Sequence, residues 1–149
     1  MPSDEDLGPL LSGRLAYLFK RAHNELAALH QEHLAPTGIN AGELSVLLLL
    51  DAREPESQQQ VAQRLGVDRT TMVALIDALE SKDLVARRPD PADRRRNVIE
   101  LTDTGRKTLR RATHRSDQAE QRLLTQLDDA ERDQLRSLLR RVSTPPSDR

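Results

Sequence analysis

Only one stretch of this chain breaks a helical rhythm, and it limits the fold more than any other feature. Elsewhere apolar residues recur in steps of three and four, the spacing of one face of an α-helix. Between Leu84 and Leu101 that rhythm gives way. Leu84 to Arg88 and Asn97 to Leu101 are short segments carrying Val and Ile, separated by Pro89-Asp90-Pro91-Ala92-Asp93. Val98-Ile99-Glu100-Leu101 reads as a strand, so the pair predicts a small hairpin with a long basic tip. The rest is helical, which makes the chain mainly α. Tyr17 and Phe19 are the only aromatic residues among 149, so the core must be Leu, Ile, Val and Ala. A chain of this length fits a single domain that buries roughly 70% of its unfolded surface.

The segments before the hairpin carry clear helix signals. Residues 1 to about 8 are polar, hold Pro2 and Gly8, and read as disordered. Leu11, Leu15, Leu18, Ala22, Leu26 and Leu29 form one stripe of a long amphipathic helix that stops before Pro36-Thr37-Gly38. Asn40 with Glu43 predicts a capping box and a second helix through Leu50. Arg53 to Glu56 is a loop. Ser57 with Gln60 opens a short third helix whose buried side is Val61, Ala62 and Leu65. Gly66-Val67-Asp68 breaks it, and Asp68 caps a fourth helix running to about Lys82. Its buried stripe is Met72, Leu75, Ile76 and Leu79. Two short helices across a tight glycine-bearing turn are a helix-turn-helix pattern.

Two further helices follow the hairpin. Thr102 caps a long one reaching about Gln126 through Leu109, Ala112, Ala119 and Leu123. Asp128 with Glu131 opens the last, with Leu135, Leu138, Leu139 and Val142 on its stripe; Pro145-Pro146 ends it before a loose tail.

Charge is distributed unevenly. The net charge is −1, yet Val85 to Arg115 holds ten Lys/Arg against four acids. That local balance of +6 leaves the remainder at −7, the asymmetry a phosphate-binding surface produces. On the fourth helix Thr70, Val73, Ala74 and Asp77 lie opposite the apolar stripe, and Arg69, Thr70 and Thr71 project near its N-terminus. A helix in the major groove meets base edges mainly through such N-terminal residues. Arg pairs with guanine O6/N7, Thr bonds bases or phosphates, Val73 suits a thymine methyl, and small Ala74 permits close approach. The arginines Arg94, Arg95 and Arg96 form a mobile cationic finger, and arginine is favoured in narrow minor grooves. Asp93, two residues from Arg95, is placed to hold its guanidinium in a fixed pose. With Ser57 and Gln58 added, these make the candidate DNA-binding set: Ser57, Gln58, Arg69, Thr70, Thr71, Val73, Ala74, Asp93, Arg94, Arg95 and Arg96.

The stretch Asp93-Arg94-Arg95 with the following Leu101-Thr102-Asp103-Thr104-Gly105 resembles the wing and Leu-Thr-x-x-Gly of the MarR family of regulators. Leu65 to Thr71, continuing to Leu79-Glu80, is similar to that family's recognition-helix segment. The resemblance spans nearly the whole chain and implies a winged helix-turn-helix lobe over 40–102. It also implies dimerisation helices over 9–36 and 103–143. It assigns the minor-groove arginine to Arg95, its buttress to Asp93, and recognition contacts to Arg69, Thr70 and Thr71. It further implies a homodimeric repressor on a pseudo-palindromic duplex, relieved by a small aromatic or phenolic effector. Four positions depart from the pattern. Asp83 stands where the family has Gly, so this turn must hold Asp in a left-handed or altered conformation. Val73 and Ala74 replace more polar residues, and Asp68 replaces a Ser cap.

Other chemistries have less to stand on. No Cys is present, which excludes disulfides, thiolate metal sites and cysteine redox sensing. No Gly-rich phosphate loop or Ser/His/Asp spacing supports catalysis, and no cofactor is expected. The main alternatives are a metal-responsive regulator and a winged-helix module that binds protein rather than DNA. The first would use His23, His30, His33 or His114, with His30 and His33 at i, i+3 beside Glu32. The second need not carry a basic wing. No basic-then-apolar N-terminal run is present, and Val46 to Leu50 is too short to span a bilayer, so a cytoplasmic protein without membrane contact is expected.

Overall fold

The computed structural model describes residues 3–144. The order is α1 (Asp4–Leu7), α2 (Pro9–Ser12), α3 (Leu15–Leu34), a 3-10 turn (Ala35–Thr37), α4 (Ala41–Ala52), α5 (Gln58–Leu65) and α6 (Arg69–Ser81). Strands β1 (Val85–Pro89) and β2 (Asn97–Leu101) follow, then α7 (Asp103–Leu123) and α8 (Asp129–Ser143). The architecture is mainly helical with one antiparallel hairpin, in which Val85 faces Leu101 and Pro89 faces Asn97.

Two expectations for the N-terminal region are corrected. Residues 4–7 are helical: Ser3 accepts from the Asp6 amide while the Asp6 carboxylate accepts from Ser3, a capping box within one turn. The predicted continuous helix from Leu11 is interrupted. Gly13 ends α2 and Arg14 is extended, so Leu11 and Leu15 lie on different helices. The Pro145-Pro146 stop lies outside the described residues.

The helix-start signals act as chemistry requires. Asn40 Oδ1 accepts from the Glu43 amide at 2.8 Å, Ser57 Oγ from Gln60, Asp68 Oδ1 from Thr71 and Asp128 Oδ1 from Glu131. Each satisfies an amide that the helix leaves without an intrahelical partner. Gly66 ends α5 at φ 66°, and Asp83 takes φ 59°, the left-handed turn that its place before β1 demands. Helix α7 ends at Leu123, one turn short of the expected Gln126.

The core collects Leu34, Ile39, Leu44, Leu47, Val61, Met72, Ile76, Leu79, Ile99 and Leu109 from α3 to α7 and the hairpin. Gly105 seats α7 against it. A Cβ there would lie 2.0 Å from the Leu84 carbonyl oxygen, so only glycine permits this approach. Thr102 completes the joint: its hydroxyl donates to Asp83 O at 2.6 Å and accepts from the Gly105 amide at 2.9 Å. The segment Arg53 to Glu56, read as a plain loop, also contributes to the sheet. Ile99 N donates to Glu56 O at 2.8 Å, forming an antiparallel bridge on the free edge of β2.

Helices α3 and α7 pack along each other, whereas α8 has no buried residue. Leu10, Leu11, Leu15, Leu18 and Phe19 near one end of the chain, and Leu138, Leu139 and Val142 near the other, are exposed. Exposure reaches 87% at Leu10 and 73% at Val142, unusual for apolar residues in stripes.

Candidate nucleic-acid interface

Helix α6 turns one face inward and one outward. Met72, Ile76 and Leu79 are fully buried, which fixes the helix on the core, while Leu75 is half-buried. The opposite face presents Thr70 and Ala74 to solvent, with Val73 half-buried, and Arg69 and Thr71 are exposed in the first turn. The Asp68 carboxylate capping the helix is held below the usual carboxylate range, first by the Thr71 amide it accepts from. Four of the five α6 candidates are therefore exposed.

The wing tip is bonded on itself, more ordered than a free finger would be. Asp90 N donates to Arg96 O at 2.8 Å and Arg96 N to Asp93 O at 2.9 Å. The Asp90 carboxylate accepts from Ala92 N. Asp93 Oδ1 then accepts from both the Arg95 amide at 3.1 Å and the Arg95 Nε at 3.2 Å. The amide is the larger cause, and the side chain the next, of an Asp93 carboxyl held below its ordinary range. The Arg95 side chain stays 91% exposed, so the contact orients a guanidinium without covering it. Arg94 and Arg96 are exposed beside it.

Ser57 and Gln58 sit otherwise than as free polar groups. The Ser57 hydroxyl accepts the α5 cap bond, and Gln58 Oε1 accepts from Arg87 Nη2 at 3.2 Å. Arg87 is the residue that sequence reasoning missed, having counted it only as local charge. It reaches Asp77 Oδ1 at 2.8 Å and Glu80 Oε1 at 2.7 Å on α6. These anions, Asp77 foremost, hold its guanidinium above the usual range. A signal existed: with period two from buried Val85, Arg87 falls on the inner face of β1. Arg88, one residue on, faces out and pairs with Glu100.

A second contact anchors the C-terminal end of α6. Lys82 Nζ donates to the buried Glu43 carboxylate at 2.7 Å and to Gly38 O at 2.9 Å. Glu43 thus serves both the α4 cap and the C-terminal end of α6. Of the histidines proposed for metal, His30 bonds Ser116 Oγ through Nε2 at 3.0 Å, and His33 Nδ1 lies 2.8 Å from Leu29 O. Among the described residues no three His, Asp or Glu side chains converge as a metal group. No helix among them is long and apolar enough to cross a membrane.

Comparison with known proteins bears on this geometry. The sequence pattern of the MarR family matches residues 39–96. The repressor CouR bound to a 23-mer DNA duplex is 36% identical, with 97% of this chain and 99% of that one aligned at a TM-score of 0.85. CouR from Rhodococcus jostii RHA1 bound to p-coumaroyl-CoA is 32% identical, covering 93% and 97%, at a TM-score of 0.80. A MarR-family transcriptional regulator from Rhodococcus sp. RHA1 is 31% identical, covering 93% and 99%, at a TM-score of 0.83. An exposed polar face on α6, an aspartate-braced arginine wing and likeness along nearly the entire chain agree, and the chain belongs to the MarR family of transcriptional regulators.

Proposed function

We propose that this chain is a homodimeric repressor that binds a pseudo-palindromic DNA duplex through α6 in the major groove and the wing in the minor groove. The observation that carries the reading is the pairing of exposed Arg69, Thr70, Thr71 and Ala74 on α6 with an Arg95 guanidinium held outward by Asp93. Major-groove readout needs the first, and the narrow, strongly negative minor groove favours the second. Candidate contacts are Arg69, Thr70, Thr71, Val73, Ala74, Arg94, Arg95 and Arg96, with Asp93 as the brace. Ser57 and Gln58 stand at the start of α5, where a phosphate would meet them.

The lobe over 40–102 carries these groups, and the segments 9–36 and 103–143 join two copies. Support for the join is the exposed apolar set of α2, α3 and α8, which one chain leaves open to water. A two-fold dimer places two α6 helices about one DNA turn apart and so imposes two-fold symmetry on the site. Release by a small aromatic or phenolic effector belongs to the same reading, supported by the p-coumaroyl-CoA held by the CouR relative.

Selection of duplexes from a random pool, followed by footprinting, tests this. The expected result is a two-fold site with half-sites about 10 base pairs apart. Enrichment of no sequence, or protection of one isolated half-site, refutes it.

A further inference from the structure

We propose that Arg87 is the positioning residue that sets the angle between wing and recognition helix, so that both grooves of one duplex are met together. The inference rests on the DNA-binding reading above and adds a residue that need not touch DNA. Its side chain is 27% exposed, against 68% for neighbouring Arg88 and 91% for Arg95 at the tip. Three acceptors from two other elements converge on it: Asp77 and Glu80 of α6, and Gln58 at the start of α5. Glu80 bonds Nη1, whereas Asp77 and Gln58 bond Nη2, so the guanidinium fork is used on both arms. A planar fork with several acceptors fixes direction as well as distance, which a single-point ammonium does not.

The geometry explains why a lock is needed. Strand β1 pairs only with β2 at this level, and a two-stranded hairpin is marginally stable alone. The backbone bridge from Glu56 holds the β2 edge of the hairpin at Ile99, the middle rung of the ladder. Arg87, paired across the ladder with Ile99, ties the β1 edge to α6 at the same rung by side-chain bonds.

The test uses full-length protein, a duplex selected by the wild type, and a random-sequence duplex of equal length. Arg87→Ala should bind the selected duplex at least about tenfold more weakly, the equivalent of one charge-assisted hydrogen bond, and the random duplex nearly as before. The slope of log affinity against log salt should stay at the wild-type value. Hydroxyl-radical protection at the wing positions should fade, while guanine N7 protection under α6 persists. Arg87→Lys should recover only part of the loss. A slope lowered by about 1 per protomer would instead make Arg87 a phosphate contact and overturn the proposal. So would unchanged affinity and wing protection in a folded variant.

Should Arg87→Ala lose its fold, the double variant Asp77→Asn/Glu80→Gln keeps the cation and removes its anchors. It gains positive charge, so simple electrostatics calls for tighter binding to every sequence. Positioning calls for a lower ratio of selected to random affinity and blurred wing protection. An unchanged ratio with intact wing protection overturns the proposal. The wild type and Arg95→Ala, run alongside, separate the two readings. If the wild type selects no duplex, DNA binding itself fails; if it binds and the Arg87 and double variants match it, only the lock fails.

Discussion

Replacing Arg95 with Ala isolates the wing's part in binding, because almost nothing else depends on that side chain. It is 91% exposed and its ion-pair partner is Asp93, at 3.2 Å. Stability should therefore change by no more than about 0.5 kcal/mol, as for a surface position. Binding should change much more. Each phosphate neutralised adds about 0.9 to the salt slope, and a homodimer carries two copies, so the slope should fall by about 1.8. Between about 50 and 200 mM salt, wild-type affinity should then drop about twelvefold further than that of the variant. Fluorescence-anisotropy titrations of a selected duplex at the two salt concentrations read this directly, with circular dichroism as the folding check. Asp93→Ala should give a smaller loss, since it frees the guanidinium without removing it. Arg94→Ala and Arg96→Ala should each cost less than Arg95→Ala. A folded Arg95→Ala protein with wild-type affinity and slope would remove the wing from the mechanism.

Three other perturbations reach separate parts of the argument. Gly105→Ala sets a Cβ 2.0 Å from a backbone oxygen and should destabilise at or above the top of the usual range of about 1–3 kcal/mol for overpacking, measured by urea unfolding. Val142→Glu, at a residue 73% exposed within one chain, should shift the species in sedimentation equilibrium toward the 16.8 kDa monomer; an unaltered dimer would place the interface elsewhere. His30 is held below its ordinary 6.5 by burial first and by His33, with Glu120 opposing. A lowered histidine stays neutral in the fold, so its stabilisation is full above pH 6.5 and declines as pH falls through and below that value. The unfolding midpoint should drop on acidification below 6.5, and His30→Gln should flatten that dependence.

What could be read from the sequence was what acts across two to four residues. Asn40 with Glu43, Ser57 with Gln60, Asp68 with Thr71 and Asp128 with Glu131 are each three apart, and each bond formed. Asp93 and Arg95 are two apart, close enough for their spacing to imply the brace. The left-handed turn at Asp83 was legible as a place in a motif, because backbone conformation is set locally. Where local signals misled, they were weak: a polar start read as disorder proved to carry its own Ser3–Asp6 box, and the first stripe ran unbroken through Gly13.

The tertiary structure decided whatever joins residues far apart in the chain. Arg87 meets Asp77, Glu80 and Gln58 across 10, 7 and 29 residues, Lys82 meets Glu43 across 39, and His30 meets Ser116 across 86. A charged side chain in sequence carries no mark of its partner; only packing of α6 against β1 turns Arg87 from one of ten local cations into a brace. The same holds for the apolar residues of α8. Their helical spacing follows from the sequence, because it depends on rotation per residue alone. That they remain open to water could be learned only once every other element had taken its place on the core.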